Sequence, residues 1–517
     1  MELTSRCRFQ VGQPSTAQQP TSPCQVAQWA WLVALLLAAL VSTACVDEPP
    51  AVPKHVLLIT VDTLRADHLG IYGYPRDTSP NIDRLGEQGV VFERAVAQWP
   101  KTGPSFAAFF TGQYPHTTGL THKAALRVND TYLTLPELFS HAGFTTLAVV
   151  SNGVLAQRLG WNQGFDAYQQ TWSLSPEKSD DPKEYRRWIN ARKVNELALP
   201  LLDTHRDAER LFVWLHYSDP HAPYVLPDDF ENPFENDGMF EDPTPVVLEN
   251  PRATALGDHR DLGHYVAAYD GNILFADQHI AAALDHADQL GILDDALVIF
   301  TADHGESLGE HDYFFGHGRL PYNHGLHVPL LVSFPEHRKG DRPGHRVAEA
   351  VELVDLYPTL RELMTPELPV PGLEGQSLMP LLDGPSINTD TGEPAGPELA
   401  FANAGGGSPL THYRAIQDER WKLVYHPALP TKNGERPERW ELFDLEADPS
   451  EANDLLAGVD LESLEGLDAQ QIAELRRLRR DLLDWMDGRT WIRPPREQIE
   501  AHNEETLRAL RALGYMQ

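Results

Sequence analysis

Asp62 closes the apolar run HVLLITVD, and Asp303-His304 close a second one, ALVIFTADHG. Two carboxylates and an imidazole offer hard oxygen and borderline nitrogen donors, a mixture suited to a divalent ion. Thr102 lies in QWPKTGPSFAAFFTG, just before Pro104, a residue favoured in the first turn of a helix. That spacing makes Thr102 or Gly103 the expected helix cap, and the helix N-terminus presents N–H groups and a positive dipole end to an oxyanion. A hydroxyl is a weak nucleophile alone; beside a divalent ion that lowers its pKa, Thr102 becomes a candidate for attack.

Histidines fall in two loops, His216 and His221 in HYSDPHAPY, and His317 and His324 in FFGHGRLPYNHG. Protonating a leaving oxygen requires a group that titrates near neutrality, and His221 and His317 are the favoured pair. Lys422, in ERWKLVY, reads by itself as an ordinary strand-edge lysine, and Lys101 and Arg65 as surface charges.

Residues so far apart need a fold that gathers them. HVLLITVD, FTTLAVVSN, LFVWLHYSD, ALVIFTADHG and VPLLVSFP are near-continuous apolar runs of strand length, the pattern of strands covered on both faces in a largely parallel sheet. Between them TLPELFSHAG and YVAAYDGNILFADQHIAAALDHADQLG read as helices. Four of these strands end in Asp62, in Asn152, in Asp219 and His221, and in Asp303 and His304, and open α/β sheets bind ligands beyond the carboxyl ends of their strands. Past SLMPLLDG the composition turns to the linker PSINTDTGEPAGPE, then to short strand patterns and a helical tail. The expected organisation is a leader over 1–45, a linker over 46–53, an α/β catalytic domain over 54–384 with a large, mixed, mostly parallel sheet flanked by helices, and a C-terminal antiparallel-sheet subdomain with a helical tail over 385–517.

All three cysteines, Cys7, Cys24 and Cys45, fall in the leader, so the body has neither a thiol nucleophile nor a disulfide. WAWLVALLLAALVSTAC reads as an export signal with a lipid-modifiable Cys45; the alternative is an uncleaved anchor, since Val26 to Cys45 just reaches the roughly 20 residues that span a bilayer. Either way the body is expected outside the cytoplasm, in the periplasm or on the cell surface, held at a membrane. The net charge of −33 disfavours nucleic acid as a partner, and an anionic substrate then needs a local positive patch. The acidic, proline-bearing stretch from Asp228 to Asp258 is a candidate pocket rim or a plain surface loop.

The stretches ITVDTLRADHLGIYGY, TSPNIDRLGEQGVVFERAVAQ, TGQYPHTTGL, DPHAPY, DHGESLGEH, VDLYPTL, RWKLVYHP, ELFDLEADPSEANDL and LRALGY, in this order from about residue 54 to the end, resemble the sulfatase family of the alkaline-phosphatase superfamily. The resemblance implies metal ligands at Asp62, Asp303 and His304, a leaving-group acid at His221, and a substrate contact at Lys422. It fails at the nucleophile. Sulfatases carry a Cys or Ser converted to formylglycine, in the frame Cys/Ser-x-Pro-Ser-Arg, where this chain has Thr102-Gly103-Pro104-Ser105-Phe106; threonine cannot give that aldehyde, so no formylglycine is expected. A family Lys and His align with Ser151 and Gly153, and the second of a pair of metal-binding aspartates aligns with Thr63. Lys101-Thr102-Gly103-Pro104 is similar to nucleotide pyrophosphatase/phosphodiesterases, and DTLRADH with DHGESLGE and HGRLPY to phosphoethanolamine transferases. Those resemblances imply one divalent ion (zinc, manganese or calcium) on Asp62, Thr102, Asp303 and His304, flanked by His221 and His317.

The expectation is an exported, metal-dependent ester hydrolase of the sulfatase family, acting on small-molecule, glycan or lipid-headgroup phosphate esters, diesters above all, through Thr102. The alternatives are a sulfatase working without formylglycine, a headgroup transferase, and an inactive binding protein on the same fold.

Overall fold

The computed structural model describes residues 52–121, 127–174, 186–240, 246, 261–382, 384, 396–405, 412–431 and 434–487. The leader with Cys45, most of the acidic stretch after Phe240 and the closing TLRALRALGYMQ lie outside them. From Pro53 onward the chain is one compact unit.

The apolar runs do form strands. The main sheet holds β1 (His55–Val61), β2 (Val90–Val96), β3 (Thr145–Val150), β4 (Ala167–Gln170), β5 (Leu211–Tyr217), β6 (Ala296–Ala302), β7 (His327–Ser333) and β8 (His345–Glu352), in the order β8-β2-β7-β6-β1-β5-β3-β4. Every residue of β1, β5 and β6 is buried, as expected for strands covered on both faces. All neighbours run parallel except at β7, which is antiparallel to both β2 and β6. VPLLVSFP is therefore a central strand of reversed direction, a property that an apolar run does not encode.

The helices include α1 (Pro80–Glu87), α2 (Thr102–Thr111), α3 (Leu135–His141), α4 (Ala191–His205), α5 (Leu262–Gln289) and α6 (Leu356–Met364). A capping box of Thr134 and Glu137 starts α3, and the Asp261 carboxylate accepts from the His264 N–H to start α5. A second, antiparallel sheet orders β9 (Ala400–Ala404), β10 (Tyr413–Gln417), β11 (Trp421–His426) and β12 (Arg439–Asp444) side by side. Its apolar face packs with α7 (Ala469–Asp487) and with Ala108, Tyr114 and Val354 of the first body into one cluster. Backbone bonds from Asn403 N–H to Gln98 O (2.9 Å) and from Gly405 N–H to Gly318 O (2.9 Å) fasten this sheet close to both ends of the candidate site.

Candidate active site

β1 has β5 and β6 as its two neighbours, in matched register from His55↔Leu211 and His55↔Ala296 to Val61↔Tyr217 and Val61↔Ala302. The residues that follow these strands therefore emerge side by side, which is how Asp62 meets Asp303 and His304 across some 240 positions. All three are buried, and one ligand atom from each lies within 4.8 Å of the others. His304 Nε2 is 3.7 Å from Asp62 Oδ1 and 3.5 Å from Asp303 Oδ2. His304 Nδ1 is 2.8 Å from Gly305 O, so that nitrogen carries the proton and Nε2 turns its lone pair to the carboxylates.

Asp303 Oδ1 accepts from the N–H groups of Thr63 (3.3 Å) and His304 (2.9 Å), and Asn152 Nδ2 donates to Asp62 Oδ2 at 2.5 Å. Asp62 Oδ1 and Asp303 Oδ2 are left buried with no hydrogen-bond partner. Burial holds Asp62 well above the usual carboxylate range, with Asp303 adding to it, and pushes Asp303 up to about 7; burial also lowers His304. Two orphaned oxygens and the lone pair of His304 Nε2 converging on one point fit a divalent cation, whose charge offsets that desolvation cost.

Thr63, where the family resemblance places a second aspartate, contributes backbone instead. It sits in the left-handed region at φ 58°, with its carbonyl accepting from the Tyr269 hydroxyl (2.7 Å) and its N–H serving Asp303. For a β-branched residue this backbone is strained, and it is held where it orients a ligand carboxylate.

Thr102 is buried with Oγ1 3.4 Å from His304 Nε2. The cap of α2 is Lys101, in extended conformation, and the first helical bond runs from Ser105 N–H to Lys101 O (3.0 Å); Thr102 is the first helical residue, not the cap. This shift by one position aims the hydroxyl at the cluster together with the dipole of the first turn. Ser105 Oγ donates to Asp303 O at 2.6 Å and ties helix to strand end. Phe106, where the family frame has arginine, is buried against Trp214 and His216, at ring distances of 5.1 and 5.2 Å.

The two favoured histidines do meet. The His317 ring lies 4.5 Å from that of His304 and 5.2 Å from that of His221. His317 Nδ1 pairs with Glu306 Oε1 at 3.0 Å, and His221 Nδ1 is 2.6 Å from Ala222 O, so both rings are oriented through Nδ1 with Nε2 as the working nitrogen. His216 stands 4.0 Å from Asp62 Oδ2, and burial, with His304, takes it down to about 3, so it stays neutral. His324 sits instead among Glu310, Arg65 and His311, and burial lowers it to about 3. Asp219 is held by Arg186 (2.5 Å) and the Ala191 N–H (2.6 Å) and acts as a support for the loop carrying His221.

Lys422, which the resemblance places against the substrate, is paired within the protein. Its side chain is fully buried, with Nζ 2.6 Å from Glu451 Oε1 and 2.8 Å from Asn323 Oδ1, so its charge is spent inside the protein, joining β11 to the loop beyond His317. Arg65 is likewise committed to Asp67 and Glu310. The cation beside the cluster is Lys101: its charge acts on His304, and its stem lies over Gly318, where a Cβ would come within 2.0 Å of Lys101 Cε. Glu306 and Lys101 are the groups beside the cluster that residue type and spacing did not single out, and Asn152 was marked only as a polar strand end. Glu306 and Lys101 looked like ordinary charges of polar loops, and only the sheet's register shows where Asn152 points.

A parallel-based α/β sheet with carboxylates, a histidine and a helix-borne hydroxyl at its carboxyl edge defines the alkaline-phosphatase type of ester hydrolase. The model of the family described as Sulfatase matches residues 54–366, and that of the C-terminal part of N-sulphoglucosamine sulphohydrolase matches 309–480. The chain belongs to the sulfatase family and is a hydrolase of ester bonds. An ulvan-active sulfatase of Formosa agariphila is 26% identical over 459 residues, covering 85% of this chain and 84% of that protein. A multifunctional alkaline phosphatase superfamily protein of Trinickia caryophylli is also 26% identical, covering 78% and 91%. Among solved structures a 2-O GAG sulfatase superposes with TM-score 0.64 at 20% identity over 85% and 92% of the chains, and the phosphonate monoester hydrolase of Agrobacterium radiobacter with 0.62 at 21% over 84% and 96%. These two share the fold.

Proposed function

We propose that this chain hydrolyses phosphate esters, diesters above all, with Thr102 as the nucleophile. The observation that carries the reading is Thr102 Oγ1, buried at the first turn of α2 and 3.4 Å from His304 Nε2, in the frame where formylglycine chemistry is unavailable to a threonine. Asp62, Asp303 and His304 are the residues that would hold a divalent ion, which supplies Lewis acidity to the Thr102 hydroxyl and to the ester's oxygens. In the first step a bond forms from Thr102 Oγ to phosphorus, the bond from phosphorus to the leaving oxygen breaks in line, and His317 Nε2 gives that oxygen a proton. The Thr102 hydroxyl loses its own proton to solvent as its bond to phosphorus forms. In the second step water attacks the same phosphorus and gives a proton back to His317, the bond from phosphorus to Thr102 Oγ breaks, and that oxygen regains its proton from solvent. Glu306 orients His317, and Lys101 and the α2 dipole balance charge on the remaining oxygens.

A diester with its single negative charge suits a site whose family arginine is Phe106 and whose Lys422 is already paired. We also assign the leader to export and Cys45 to lipid attachment, on its sequence pattern; no helix of the described residues is long and apolar enough to cross a membrane. Residues 46–517, supplied in turn with zinc, manganese and calcium, should cleave aryl phosphodiesters faster than aryl sulfates, and Thr102→Ala should lose both activities. Turnover of aryl sulfates with no phosphate ester cleaved contradicts the reading.

A further inference from the structure

The single turn 269–272 of α5 grips two other stretches of chain, and both belong to the site. Asn272 Oδ1 accepts from Arg186 at 3.5 Å, and Arg186 in turn holds Asp219 in the loop of His221. Asp270 pairs with His68 Nδ1 (2.7 Å) and accepts from the Tyr74 hydroxyl (2.7 Å) and Arg76 (2.8 Å), which fixes the chain beyond β1 against the helix. Tyr269 reaches further in. Its hydroxyl donates to Thr63 O at 2.7 Å and accepts from the Arg65 N–H at 3.1 Å. The residue is fully buried, and burial pushes the phenol well above its ordinary value, so the proton that Thr63 O receives stays in place.

Those two bonds close on a residue whose backbone is strained. Thr63, next to Asp62, has φ 58°, a region that suits glycine and is costly for a β-branched side chain, and in that conformation its N–H donates to Asp303 Oδ1 at 3.3 Å. In an extended conformation the same N–H and carbonyl would point elsewhere, because the planar peptide leaves only two dihedrals to set them both. Thr63 Oγ1 is spent on Asp62 O, within its own turn. The strain is therefore held from outside, and Tyr269 is the side chain that takes the Thr63 carbonyl. Resting on the metal-holding role proposed above for Asp62, Asp303 and His304, we propose that Tyr269 is a positioning residue: its hydroxyl clamps Thr63 in the left-handed conformation, which aims the Thr63 N–H at Asp303 Oδ1 and leaves Oδ2 to the cation.

The test uses the full chain and metal alone, with zinc, manganese and calcium titrated in turn in competition with a chromophoric chelator; the ion that the parent binds most tightly is carried through the series. Tyr269→Phe keeps the ring, removes the hydroxyl, and should weaken binding by about 10- to 100-fold, the usual loss when an outer partner of a ligand goes. Adding Thr63→Gly to Tyr269→Phe should bring affinity back to within about threefold of the parent, because glycine takes the left-handed conformation unaided. Tyr74→Phe deletes a hydroxyl bond between the same two elements but leaves Thr63 alone, and should bind within about twofold of the parent. A general loosening of α5 would weaken Tyr74→Phe as well and would not be repaired by glycine. Either result overturns the clamp, as does unchanged affinity in Tyr269→Phe. No binding of any of the three ions by the parent, or parent affinity kept in Asp303→Ala, overturns the ligand set itself, so the two failures are distinct.

Discussion

Asn152 touches no substrate in this account, yet its amide holds Asp62 Oδ2 while its own carbonyl oxygen accepts from the Val154 N–H at 2.9 Å. Outer partners of this kind orient ligands, and losing one costs about 10- to 100-fold in metal affinity. Asn152→Ala should show that loss in a metal-binding titration with the fold intact; unchanged affinity contradicts the role. The metal candidates Asp62, Asp303 and His304 were legible in the sequence because polar residues that end fully apolar strands share one edge of the sheet. Lys422 and Lys101 were not. A lysine's role is set by the partner it finds, and Glu451 lies 29 residues beyond Lys422 while Gly318 comes from another loop altogether.

Elements were legible where burial is uniform. β1, β3, β5 and β6 stand out because both faces are covered. β2 and β8 do not: VVFERAV is interrupted by Glu93 and Arg94, and HRVAEAVE mixes exposed and buried positions at the sheet edge, so neither shows a clean period. Gly305 shows how tightly the β6 end is packed, since a Cβ there would lie 2.2 Å from His324 O. Gly305→Ala should lower stability by about 1–3 kcal/mol in denaturant unfolding, because backbone must move; an unchanged midpoint contradicts that packing. A second element, the short helix Pro335–Lys339, carries a titration. His337 Nδ1 accepts from the Phe334 N–H at 3.3 Å, and burial, with Arg342 next, lowers the ring to about 4 from an ordinary 6.5. The unfolded chain therefore takes up this proton first. The stability it contributes is complete above about pH 6.5 and is lost as pH falls toward about 4. H337Q keeps an acceptor at that position and removes the titration, so wild type should lose Tm relative to H337Q between about pH 7 and 5. A gap independent of pH contradicts it.

Among the described residues, α7 and the second sheet pack on the first body in one shared cluster. The Trp485 ring meets Tyr114 and His116 at 5.2 and 5.1 Å and stacks on Phe401 at 5.0 Å, while the Tyr114 hydroxyl and the Phe401 N–H both reach Glu352 at the end of β8. Trp485→Ala should cost about 3–5 kcal/mol, and because both sheets share this cluster it should shift one cooperative melt rather than release an early transition; two separate melts contradict that coupling.

The central claim is that Thr102 takes the phosphoryl group. The direct measurement is mass spectrometry of peptides from enzyme quenched in acid during turnover of a phosphodiester. The account predicts a phosphorylated peptide spanning Lys101 to Thr111 with the group on Thr102, absent from Thr102→Ala. Steady turnover with Thr102 unmodified at every quench time, and retained in Thr102→Ala, would contradict it.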